Sequence, residues 1–295
     1  MGRTATCEKA SRVMSDIWGS GDFAYVCLRD ELRTTSFRTA IREIVGQDDV
    51  VLEVGAGTGI LSLFAAEAGA RKVFSVEIDD HLCDCLEETV RANGLSGTIE
   101  VLRGDAREID LPSSVDVVVA ELIDTGLIEE LQVPVINSLF ERGVATAGTR
   151  FIPEGYQTEV QLMWVDERNY GYVIRAPRHE WPFLSDSGIG WTQLEAIERS
   201  RRAVLWSGRF AEGPLEPGVR CEVALPVSPP GPVNALKLSG RLTLARNLEV
   251  GATNVMNGDK ILPLRDEYVT PAAALTISYG MGKGLGSFVA SVKEA

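Results

Sequence analysis

The feature that most constrains this chain is a loop, Gly55-Ala56-Gly57-Thr58-Gly59, set between an apolar run, Val50-Val51-Leu52-Glu53-Val54, and a helical pattern over Ile60 to Ala68. A short apolar run that ends on glycines reads as a buried parallel strand. Gly55 and Gly57 permit a tight turn and close approach of a ligand to the backbone, and Gly59 lets the next helix pack against the sheet. The pattern then repeats. Lys72 to Val76 predicts a strand and Asp80 to Asn93 a helix stopped at Asn93-Gly94. Ile99 to Leu102 and Val115 to Ala120 predict two more strands, and Leu131 to Arg142 a helix ending before Gly143. Such alternation implies an α/β fold, a Rossmann-like doubly wound sheet with right-handed crossovers. A helical stretch, Leu28 to Val45, precedes it.

Near Phe151-Ile152-Pro153 the period changes. Short alternating runs take over at Gln157 to Trp164, Arg202 to Trp206, Arg220 to Leu225, Ala235 to Leu244 and Ala274 to Ser278. They predict a mostly antiparallel, β-barrel-like domain. Three segments are therefore expected: an N-terminal helical segment over 1–48, the doubly wound domain over 49–150, and the β domain over 151–295 with a short insert near 181–201.

Lysine and arginine total 29 against 42 acidic residues, a net charge of −13. That balance disfavours nonspecific binding to nucleic acid or an anionic membrane. No run approaches a membrane span, and the N-terminus carries no apolar stretch resembling a secretion signal. Five scattered cysteines and two histidines predict no metal site, and free thiols in a reducing cytosol. A cytoplasmic protein is expected.

Two companions sharpen the glycine loop. Glu77 lies at the end of the next strand, where a carboxylate can hold both hydroxyls of a ribose. Gly104-Asp105-Ala106 follows the third strand, where Asp105 could accept an adenine amino group and Ala106 could donate its backbone N–H. The spacing is Gly-x-Gly-x-Gly, not the Gly-x-Gly-x-x-Gly of pyrophosphate binders. Glu53 adds negative charge, which would repel phosphate but suits a cation. S-adenosylmethionine fits, with a sulfonium, an ammonium, a ribose, an adenine and no phosphate; its product would be S-adenosylhomocysteine.

After the fourth strand comes Glu121-Leu122-Ile123-Asp124-Thr125-Gly126-Leu127-Ile128-Glu129-Glu130. This segment resembles the double-glutamate loop of protein arginine methyltransferases, and its interior is closest to their type III, monomethylating branch. Val51 to Gly69 looks like the same family's cofactor motif, and Leu28-Arg29-Asp30-Glu31-Leu32-Arg33-Thr34 like its pre-sheet helix. The three motifs occur in the family's order. The likeness covers nearly all of the first half and the β half in outline. It implies that the N-terminal segment closes over the cofactor, that Arg33 pairs with the cofactor's carboxylate, and that Glu121 and Glu130 clamp a substrate guanidinium. Glu129 competes with Glu130 for that role. A guanidinium is planar and stays protonated, and two carboxylates can hold it while one nitrogen faces the methyl donor.

Departures from the family point to the acceptor. The family's Thr-His-Trp signature falls on Thr253-Asn254-Val255, so histidine and tryptophan are missing. Asn254 and Asn257, with Asp124, become candidate substrate contacts, although Asn-Gly also suits a plain turn. The dimerisation insert is cut down to Trp181 to Arg201. Trp181, Trp191 and Trp206 read as packing residues. The expected function is N-methylation of a small guanidino compound such as free arginine, with protein or peptide arginine as the alternative and a homodimer as a possible assembly.

Overall fold

A computed structural model describes residues 23–111, 114–182 and 195–294. The chain divides into two compact units, one of residues 1–121 and 138–152, the other of 122–137 and 153–295.

The first unit holds helices α1 (Phe23–Arg29), α2 (Glu31–Ile44), α3 (Ile60–Glu67) and α4 (Asp80–Ala92), with strands β1 (Val50–Val54), β2 (Lys72–Glu77), β3 (Ile99–Arg103), β4 (Val117–Ala120) and β5 (Arg150–Ile152). The strands run parallel in the order β3-β2-β1-β4-β5. Val51, Leu52, Val73, Val117 and Val118 are wholly buried, as expected for strands covered on both faces. The doubly wound fold read from the alternation is the one observed. The stretch expected as one helix over Leu28 to Val45 is two. Asp30 adopts an extended conformation and its Oδ1 accepts from the Arg33 N–H, so it caps the start of α2 and ends the run from α1. Gly59 also differs from expectation. It sits at φ +77° at the start of α3, and a Cβ there would meet Leu86 Cδ1 of α4 at 2.1 Å. The missing side chain admits the neighbouring helix rather than the sheet.

The chain passes to the second unit after Glu121 and back within helix α5 (Gln132–Glu141). The second unit's sheets are antiparallel. The larger contains β6 (Gly155–Val165), β9 (Arg178–Glu180), β10 (Ala196–Glu198), β11 (Ala203–Arg209), β13 (Val233–Ala245), β14 (Leu248–Val250) and β15 (Asp259–Tyr268). A second joins β12 (Gly218–Pro226), β16 (Ala272–Gly280) and β17 (Val289–Glu294), and β7 (Arg168–Asn169) pairs with β8 (Tyr172–Val173). Burial alternates strictly along β16, whereas β13, flanked by β6 and β15, is buried almost throughout. Trp206 packs on Gly208 and Trp181 on Gly258, in keeping with packing roles. Trp191 and most of the short insert lie outside the described residues. The strands at β15 and β17 were not anticipated. Pro263 and the run Arg265-Asp266-Glu267 interrupt any alternating pattern in β15, yet pairing with β13 and β9 holds it.

Candidate functional site

In an open parallel sheet, ligands bind beyond the carboxyl ends of the strands, where the strand order reverses. Here that point lies between β1 and β4. Glu53 and the glycine loop belong to the end of β1, Glu77 to the end of β2, Asp105 and Ala106 follow β3, and Glu121 follows β4. The fold of the first unit thus brings the expected cofactor residues to one sheet edge.

Each acid there has a definite partner. Gly55, Gly57 and Gly59 have φ of +73°, +53° and +77°, a conformation that favours glycine. The turn lets the Gly57 N–H donate to Glu77 Oε2 at 2.8 Å, while Glu77 Oε1 accepts from Ile78 and Asp79 N–H at 2.8 and 3.0 Å. A carboxylate offers about four lone-pair positions, so one acceptor site remains for a hydroxyl. Asp105 is held on both oxygens by the Arg107 guanidinium, whose hydrogen bonds keep its carboxyl below the usual range. The Ala106 carbonyl accepts from Arg142 at 2.8 Å.

Glu53 is 2% exposed and accepts from the Ser62 hydroxyl, which also bonds Ser75. Burial pushes its pKa up to about 7, against the Ser62 hydrogen bond, and nearby Glu77 adds to the rise. The unfolded chain loses this proton near 4.5 and the folded chain near 7, so stability from this group is greatest below 4.5 and falls as pH rises to 7. The loss is about 3 kcal/mol. Glu53→Gln keeps an acceptor for Ser62 without the charge. Its stability advantage over the wild type grows between pH 5 and pH 8 in urea melts; an advantage independent of pH would remove Glu53 as the cause.

Arg33 is buried beside Glu121. Its Nε donates to Glu121 Oε2 at 2.9 Å, Nη2 pairs with the same oxygen, and Nη1 reaches the Cys27 carbonyl at 3.3 Å. Burial alone would lower the Arg33 pKa, but Glu121, Cys27 and Asp30 together outweigh it and the net shift is upward. The guanidinium also lies over the Phe37 ring at 5.7 Å.

A cavity of about 380 Å³ opens beside the glycine loop, among Ala24, Leu28, Thr58, Leu82 and Leu86. None of the acids above lines it, and its apolar wall does not suit a charged ligand.

The remaining expected residues lie in the second unit. Asp124 Oδ1 accepts from the Glu130 N–H at 3.1 Å, and Oδ2 accepts from the Ile128 N–H at 3.2 Å and from Lys260 Nζ at 2.5 Å. Lys260 Nζ also donates to Glu129 Oε2 at 2.7 Å. Glu129 is thereby committed to a lysine. Asn254 is exposed. Asn257 is buried at φ +61°, and its Oδ1 accepts from the Tyr156 hydroxyl at 2.6 Å while its Nδ2 has no hydrogen-bond partner. That hydroxyl accepts in turn from the Gly126 N–H at 3.0 Å, and Thr125 donates to the Gly258 carbonyl. Lys260, Tyr156 and Thr125 escaped the sequence reading. The one sequence hint to the first was a lysine directly before the apolar run Ile261-Leu262-Pro263-Leu264. Among the described residues no cluster of histidine, cysteine and acids could hold a metal, and no helix is long and apolar enough to cross a membrane.

Comparison with known proteins bears on what this edge does. Residues 30–143 match the family model described as the TRM5/TYW2 methyltransferase domain. An uncharacterized protein of Methanocaldococcus jannaschii, MJ1452, is 40% identical over 139 residues, which are 47% of this chain and 53% of that protein. Protein arginine N-methyltransferase 1 of Oryza sativa is 38% identical over 146 residues, 48% of this chain and 37% of that protein. About half of the chain is similar in sequence to protein arginine methyltransferases. The chain thus matches about half, or less, of the length of these relatives. Two solved structures share the fold at a TM-score of 0.68. They are the Trypanosoma brucei PRMT1 enzyme–prozyme heterotetrameric complex with AdoHcy, 21% identical, and Arabidopsis thaliana protein arginine methyltransferase 10, 16% identical. Each covers 90% of this chain and 95% of the other.

Proposed function

We propose that this chain is an S-adenosylmethionine-dependent N-methyltransferase acting on an arginine-type guanidino group. The observation that carries the reading is the carboxylate of Glu121, which already accepts two N–H groups of a guanidinium, that of Arg33, at the carboxyl end of β4. A carboxylate so placed suits the recognition of a second guanidinium once Arg33 turns to the carboxylate of a methyl donor. The relatives' methyltransferase domain supports the donor. The residues present also fit it. Glu53 is a buried acid on which a bound ammonium would favour the charged form, and Glu77 retains an acceptor position for a ribose hydroxyl. The donor supplies an electrophilic methyl group on a sulfonium.

The chain's own residues do the rest. Glu121 and Glu130 hold the guanidinium plane and draw its charge away from the nitrogen that reacts, and Glu130 accepts the departing proton. Asp105 and Ala106 orient the adenine. The names of the relatives favour protein or peptide arginine as acceptor. A small guanidino compound is the second reading, favoured by Asn254 and Val255 standing where the family's histidine and tryptophan would be. Incubation with labelled methyl donor, free arginine and an arginine-rich peptide separates the two by mass spectrometry. Label in the peptide alone selects the first reading and label in free arginine the second. Label in neither removes the guanidino assignment.

A further inference from the structure

We propose that Lys260 is a positioning residue for the acidic loop, fixing the place of Glu130 through the side chain of Asp124; the inference rests on the guanidino-methyltransferase reading above. Lys260 is the second residue of β15 and is 1% exposed. It stands opposite His179 in the β15–β9 pair, and His179 stacks on Trp181 at 5.1 Å. Trp181 in turn packs against Gly258, two residues before the lysine. Burial together with the lysine's charge lowers the pKa of His179, leaving Lys260 as the cation of the cluster.

The ammonium reaches two acids of the loop, Asp124 and Glu129. Asp124 is the pivot. One of its oxygens takes Lys260 and the Ile128 N–H, and the other takes the Glu130 N–H. Asp124 is largely shielded from water, and a carboxylate so placed holds these bonds best while a cation balances it. The lysine therefore acts on the backbone at Glu130 through Asp124, and it holds Glu129 directly. Its charge also partly offsets a loop carrying Glu121, Asp124, Glu129 and Glu130.

The test compares wild type, Lys260→Met and the double variant Lys260→Met/Glu129→Gln, which removes one of the two acids left without a cation. Both variants are expected to lose about 100-fold in kcat, with KM for S-adenosylmethionine kept within about twofold, because a small displacement of a positioned group costs on that order. A double variant restored to the wild-type kcat would mean that the lysine only compensates buried charge, and would overturn the proposal. Hydrogen exchange of the Ile128 and Glu130 amides reads the clamp without reference to activity. Exchange at least about tenfold faster in the variants supports it, and unchanged exchange overturns it. A wild type that methylates no guanidino acceptor defeats the functional reading alone, since the exchange experiment still decides what Lys260 holds.

Discussion

If the chain methylates a guanidino group as proposed, Glu130→Gln is expected to lower kcat by about 10³-fold and to leave the KM for S-adenosylmethionine within about twofold of wild type. The amide preserves size and can still accept one hydrogen bond, but it removes the charge proposed to localise the guanidinium's positive pole and the base proposed to receive its proton. Loss of a charged, directed acceptor is worth several kcal/mol in a transition state and much less in a bound ground state. Glu129→Gln is the matched control. Asp124 still holds Lys260 in that variant, so its kcat falls by no more than about tenfold. Single-turnover kinetics with saturating acceptor measure both. A Glu130→Gln enzyme with wild-type turnover, or one less impaired than Glu129→Gln, contradicts the assignment of roles.

Gly240→Ala destabilises the second unit by about 3 kcal/mol or more. Gly240 lies on β13 opposite Thr158 of β6. A Cβ there would stand 1.9 Å from the Tyr156 hydroxyl oxygen and 2.0 Å from Asn257 Oδ1, the two atoms that share a hydrogen bond. Neither can retreat cheaply, because Tyr156 is 2% exposed and its hydroxyl also accepts from Gly126. Burial of that hydroxyl holds its pKa well above the ordinary tyrosine value, so it is a neutral donor at neutral pH. The alanine variant loses about 6 °C or more in melting temperature, and the acidic loop loosens with it. Calorimetry is the measurement. An unchanged transition would show that the Tyr156–Asn257 bond is not under the constraint described.

How much of this could be read in advance varies with the range of the interaction. The doubly wound half was legible because most of its strands are short, mainly apolar runs and helices between them have their own stops, as at Asn93-Gly94 and Gly143. The β half was legible only in part. β16 alternates cleanly, but β15 carries a proline and three consecutive charged residues, and it is a strand because β13 and β9 supply its hydrogen bonds. The break at Asp30 was written locally, in an aspartate three residues before Arg33, yet a helical composition on both sides concealed it.

At the candidate site, chain order alone delivered the acids, since Glu53 lies near the end of a predicted strand, Glu77, Asp105 and Glu121 come after one, and parallel strands share one carboxyl edge. What each acid binds was a matter for the folded molecule. Arg33 and Glu121 are 88 residues apart, and Lys260 lies 131 and 136 residues from Glu129 and Asp124. Periodicity and turn chemistry report on neighbours within a few positions. The partner of a buried charge is set by which distant elements pack together and exclude water, and only three-dimensional packing decides that.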